Sequence, residues 1–282
     1  MSGAGFFKSV HTIGTMVCLI MDIRSVFEKI AKEYPEAKKQ TLKDHPLAKF
    51  IRTEVPKSFK EDLGQTISKY KVLVAKHAGN WSRVAWIVLL DTRVSETATR
   101  GYYPVYSFFE NGKKIMLSLG QGYKDIRSKY KKEADDILIS RGIILKNKAG
   151  DFKKFGFKNV HGTKITIKTD KEREVWVKSC AFGKIYDVKN LPSKNELVGD
   201  VKNILNIYEN IIQRGGTSEL IENIDPEEVE IIKDLSGSEK KALKKHREHE
   251  KYYIKTDPKF IKSLKKKFDY TCQACNLKFE KI

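Results

Sequence analysis

The chain has 282 residues, 40% of them hydrophobic and 32% charged, which suits a soluble fold with one sizeable core plus a small extra module rather than several full domains. Its 55 Lys and Arg against 36 Asp and Glu give a formal charge of +19, which points to a polyanionic partner, because these side chains release counterions as they neutralise phosphates. Four cysteines, with Cys18 and Cys180 apart and Cys272 and Cys275 as a C-x-x-C, exclude a disulfide framework and favour a reducing, cytoplasmic compartment.

The apolar stretch 16–21 is too short to span a membrane, and no small-residue cleavage site follows it. A membrane is therefore not expected as a partner, and residues 1–20 read as a loose arm or a mis-called start. Asp22 is placed to cap a first helix whose Ile23, Val26, Phe27 and Ile30 share a face, ending before Pro35. A second short helix carries Leu47, Phe50 and Ile51 and stops near Pro56. A further amphipathic piece runs through Phe59 to Leu63 and ends at Gly64.

The period then changes to that of strands. KYKVLVAKHA alternates, VAWIVLL is a buried run, and YYPVYSFFE is a third strand with Pro104 at a bulge or edge. Asn111-Gly112 signals a hairpin to KKIMLSLG, so residues 73–119 form an antiparallel meander. A helix follows in which Tyr123, Ile126, Tyr130, Ala134, Ile137 and Leu138 are spaced for one face and Gly142 is the stop. REVWVKSCAFGKIYDV supplies another strand or two. A last helix opens on a capping box from Ser193 to Glu196 and stops at the glycine pair 215–216.

These elements predict an α+β fold, a curved antiparallel sheet flanked by helices over residues 21–215. A charged linker helix over 216–258 and an incomplete zinc-knuckle stub over 259–282 complete the reading. His246 and His249 sit in the lysine-rich linker and read as surface residues.

Candidate chemistry concentrates between residues 77 and 122. A Gly79-Asn80 turn lies beside Trp81 and Arg83, and Arg100 precedes a tyrosine-rich strand. Alternation sends Tyr103 and Phe109 to one face and Tyr102, Tyr106 and Phe108 to the other. Trp86 lies inside an apolar run and reads as core.

In order, G-N-W-x-x-V-x-W-I, G-Y-Y-P-V-Y, the N-G hairpin and L-S-L-G-Q-G resemble the McrB N-terminal DNA-binding domain family, as do H-P-L-A-K-F-I-R at 45–52 and the closing helix before Gly215. That family recognises methylated cytosine in type IV restriction. The resemblance implies a double-stranded DNA partner whose modified base is flipped into an aromatic pocket, where stacking and shape test the added group. By position it implies Trp86 and Tyr103 as pocket residues, and Ser107 where the founding member has a larger apolar residue. His77, Ala78, Gly79, Asn80, Trp81, Arg83 and Arg100 are the implied DNA contacts. Ala78 stands where an aromatic would fill the gap left by the base, and His77 or Trp81 are the alternatives for that task. No G-x-x-x-x-G-K-[ST] occurs in the sequence, so the resemblance does not carry a GTP-driven motor to this chain.

The string Tyr270-x-Cys272-x-x-Cys275-x-x-x-Phe279 resembles the opening of an HNH nuclease. There two thiolates make half of a structural zinc site, and a divalent metal such as magnesium serves the intact nuclease. The histidines of such a hairpin would follow Ile282, so no catalytic residue is assigned. Two inert thiols are the alternative. The expected function is recognition of methylated or hydroxymethylated cytosine in DNA, coupled in the intact protein to HNH cleavage of foreign DNA. The rival is a stand-alone DNA- or RNA-binding module that recruits a separate nuclease. A homodimer is left open.

Overall fold

The computed structural model describes residues 21–75, 79–160 and 178–217, together with Gly237 and Lys241. Among the described residues, six antiparallel strands form one open sheet in the order β1-β2-β3-β4-β6-β5, with helices packed against it. The strands are β1 (Lys71–Val74), β2 (Trp86–Leu90), β3 (Tyr102–Phe108), β4 (Lys114–Gln121), β5 (Lys158–Asn159) and β6 (Phe182–Asp187). The helices are α1 (Ile23–Ala37), α2 (Pro46–Leu63), α3 (Tyr123–Tyr130), α4 (Ala134–Ala149) and α5 (Lys194–Gln213). The expected α+β class and the antiparallel meander are both present. None of the helices among the described residues is long and apolar enough to cross a membrane.

The core lies between one face of the sheet and α1, α2 and α5. Phe27 of α1 meets Tyr106 of β3 edge-on, with ring centroids 4.6 Å apart, and Phe59 of α2 and Tyr208 of α5 meet Tyr106 and Tyr102. Polar ties fix the layers. The Asp62 carboxylate of α2 accepts from the Ile23 amide at 2.7 Å and pairs with Lys194 of α5 at 2.6 Å, so it satisfies an otherwise orphaned donor at the start of α1. Asp200 of α5 accepts from Lys184 and Tyr186 of β6.

Both prolines expected to stop helices lie inside them. α1 continues through Pro35 to Ala37, and α2 is one helix through Pro56 rather than two pieces. Burial of Leu47, Ile51, Val55, Phe59 and Leu63 along one stripe outweighs the roughly 3 kcal/mol that an interior proline costs. At Pro35 the missing N–H leaves the Ala31 carbonyl without its helical donor. The Asn111-Gly112 turn approaches that carbonyl so closely that a Cβ on Gly112 would run into it.

Gly142 does not end a helix either; it is buried in the middle of α4. The break comes earlier, at Lys131, whose φ is +47°. Tyr123, Ile126, Tyr130, Ala134, Ile137 and Leu138 do cluster as their spacing suggests, but across the contact of α3 with α4. Pro104 is at neither a bulge nor an edge. It lies in central β3, paired with Leu119, where the ladder to β2 has already ended at Val105. The Phe108 amide donates to Ala85 on the β2 side, and two-residue alternation turns the Pro104 nitrogen the same way, past the last rung. Of REVWVKSCAFGKIYDV, residues 173–177 lie outside the described residues, 178–181 are not strand, and β6 starts at Phe182. The capping box of α5 is present, with Ser193 and Glu196 satisfying each other's amides.

Candidate nucleic-acid interface

The second face of the sheet, away from α1, α2 and α5, is organised in rows by the register. Trp86 pairs with Ser107, Ser107 with Met116, and Met116 with Ile185, so these four side chains line one row across β2, β3, β4 and β6. The next row is Val88, Val105, Ser118 and Gly183. Tyr103 and Gly120 are paired beyond that. Tyr103 therefore shares the face with Trp86 and Ser107 but stands four residues along β3 from Ser107, roughly 13 Å at strand rise.

The three expected base-contacting residues differ in exposure. Trp86 is half-buried, which departs from its reading as core, although its neighbours Ala85 and Ile87 to Leu90 in the same run are buried. Tyr103 is 6% exposed, and its hydroxyl donates to the Ala98 carbonyl at 2.6 Å. Burial raises its phenol well above the ordinary tyrosine value. Ala98 lies in the β2–β3 connection, at the end of β3 away from Ser107, so the tyrosine hydroxyl is tied away from the Trp86 row. Ser107 is 0% exposed, and its Oγ has no hydrogen-bond partner among the described residues.

The expected DNA contacts divide between the two ends of the sheet. Gly79 and Asn80 are exposed in the β1–β2 connection, at the Trp86 end, and Gly79 uses a φ of +89°. Trp81 belongs to the same connection but is anchored. Its Nε1 donates to the Gln40 carbonyl at 2.9 Å, and its ring meets Tyr34 and His45 edge-on. Arg83 lies 3.8 Å from Glu110, which also pairs with Lys38. Arg100 is exposed at the opposite end, next to the close approach of Gly122 to the Arg100 backbone. His77 and Ala78 lie outside the described residues.

Sequence reading missed two features. Met116 and Ile185 complete the Trp86–Ser107 row, and Ile185 is 41% exposed. Alternation in KKIMLSLG separates Met116 from Leu117, but only the cross-strand register assigns Met116 to the face of Ser107. The other feature is a cationic ridge. Lys124, Arg127 and Lys129 of α3 and Lys131 and Lys132 just after it are all exposed, and Arg127 lies over the Tyr123 ring.

Metal chemistry finds no support among the described residues, where no group of three or more His, Cys, Asp or Glu is arranged to hold an ion. Cys272 and Cys275 lie outside the described residues, as does Cys18. Cys180 does not fit as a further zinc ligand. It is fully buried with Met116 and Val160, and burial pushes its thiol up to about 11 despite a contact with Ser118.

No curated protein matches the chain. The family model described as MrcB-like, N-terminal domain matches residues 29–213, from within α1 to the last residue of α5. That match spans more than half of the sequence and the whole described sheet, and it carries with it a McrB-like DNA-binding role in a restriction system. The chain belongs to the MrcB-like N-terminal domain family.

Proposed function

We propose that the chain binds double-stranded DNA containing a modified cytosine and receives the extruded base on the second face of the sheet. The half-buried Trp86 is the accessible wall of the site, Ser107 lies buried beside it, and Tyr103 closes its far end. The observation that carries this reading is the directly opposed Trp86–Ser107 pair beside the exposed Gly79-Asn80 turn. Tyr103 shares their face. A half-buried indole at the mouth of such a site offers one π-face to an incoming base. Base–aromatic stacking is worth about 1–3 kcal/mol, enough to repay much of the cost of unstacking one nucleotide.

Phosphates are neutralised by side chains that read no sequence. Arg100 and the exposed Lys124, Arg127, Lys131 and Lys132 are suited to this, and the charge of +19 favours it. Coupling to HNH-type cleavage in the intact protein belongs to the same reading. It rests on the Cys272-x-x-Cys275 string and its neighbours alone, and no step of recognition depends on it.

Equilibrium binding to duplexes of one sequence that carry cytosine, 5-methylcytosine or 5-hydroxymethylcytosine tests the proposal, with single-stranded RNA as competitor. Preference for either modified duplex over plain DNA, with RNA a weak competitor, is the expected result. Equal binding to all three duplexes, or RNA winning the competition, overturns it.

A further inference from the structure

Ser107 carries a fully buried hydroxyl with no hydrogen-bond partner among the described residues. Native interiors rarely leave such a group unpaired, because its lost hydration is not repaid. Its neighbours along and across the sheet pack toward glycines rather than toward it. A Cβ on Gly120 would lie 2.8 Å from Val105 Cγ1, and one on Gly183 would lie 3.3 Å from Met116 Sδ. Val105 and Met116, the neighbours of Ser107 along β3 and across to β4, thus lean over glycines and away from the serine. The remaining cross-strand neighbour is the half-buried Trp86. An alanine would fit the same space without the orphaned oxygen, so the hydroxyl contributes only when something polar arrives.

Resting on the function proposed above, we infer that Ser107 is a specificity-determining residue whose hydroxyl hydrogen-bonds a polar substituent on the extruded cytosine. It selects a 5-hydroxymethyl group over a 5-methyl group. The reasoning is a pairing of two orphans. A hydroxymethyl group entering an apolar, stacked site loses its water and needs a partner, and Ser107 needs one too. Each satisfies the other, as donor or acceptor. A methyl group brings no partner and leaves Ser107 as it was. The discrimination comes from a polar group that one ligand satisfies and the other does not, which separates ligands better than an added methylene does.

The test is fluorescence anisotropy on the three duplexes with the full chain and its Ser107→Ala variant, alongside thermal melting of both. Wild-type protein is expected to favour the hydroxymethyl over the methyl duplex by roughly three- to tenfold, the yield of one neutral hydrogen bond. In Ser107→Ala that ratio should fall to about one, while its melting temperature is no lower than wild type because an unpaired group has been removed. A ratio unchanged by the substitution, or a wild-type protein that binds the methyl duplex at least as well, overturns the inference and leaves the broader proposal standing. A wild-type protein that does not separate either modified duplex from plain DNA overturns both.

Discussion

Replacing Trp86 with alanine separates base recognition from general DNA affinity. Its backbone role survives the change, because the Trp86 carbonyl accepts from the Ala75 amide whatever the side chain. The indole is half-buried, so truncation should cost less than the 3–5 kcal/mol of a fully buried tryptophan, and the protein should still melt cooperatively. The Cβ of Trp86 faces that of Ser107 across one rung, about 4.5–5.5 Å away, so a base over Ser107 lies within reach of the indole. Loss of one stacking face, worth about 1–3 kcal/mol, corresponds to roughly 5- to 150-fold weaker binding of the modified duplex. Plain DNA, held through phosphates, should be nearly unaffected. Anisotropy at fixed salt gives the ratio of the two affinities. Tyr103→Phe is the control: it removes the bond to Ala98 at about 1 kcal/mol of stability, keeps the ring, and should leave the ratio alone. A Trp86→Ala protein that melts cooperatively and keeps the wild-type ratio would refute the placement of the base beside this residue.

Three further outcomes follow from the geometry. Gly112 and Gly150 share a φ of +67°, but only at Gly112 would a Cβ strike Ala31, so Gly150→Ala should cost about 1 kcal/mol and Gly112→Ala about 2 kcal/mol or more in urea unfolding. Equal costs would mean that the turn does not press on α1. Glu209 accepts from Arg93 and Lys69, and these bonds lower its carboxyl from 4.5 to about 2. A depressed folded value contributes stability above the unfolded value that is lost as pH falls through the folded one. The melting curves of wild type and Glu209→Gln should therefore differ most near neutrality and converge as pH drops from about 4.5 toward 2. Parallel curves would deny the linkage. Replacing Lys124, Arg127 and Lys131 by serine should weaken binding to all duplexes alike and flatten the salt dependence by up to about three phosphate contacts, and an unchanged slope would remove α3 from the interface.

Much of the fold is written in short-range pattern. The alternation of β3, the Asn111-Gly112 hairpin and the Ser193–Glu196 capping box each depend on a handful of adjacent residues, and all three appear where that pattern puts them. The sharing of one face by Tyr103 and Ser107 follows from period alone. What neighbouring residues could not decide was set by contacts made across the chain. Pro35 and Pro56 sit in helices because buried stripes against the sheet outweigh the local penalty. The spacing of six apolar residues from Tyr123 to Leu138 fits one long helix and two packed ones equally well, and the reversal at Lys131 selects the second.

The candidate site shows the same division. Composition alone supplied the charge that suits a polyanion, and the order of the aromatic strings supplied the family. That Trp86 is half-open and that Ser107 is closed and unpaired among the described residues required the packed tertiary structure, and that Met116 and Ile185 complete their row required the register of four strands. A one-residue slip in any of those pairings would reverse which side chains share the face, and a period of two cannot by itself record which residue stands opposite which.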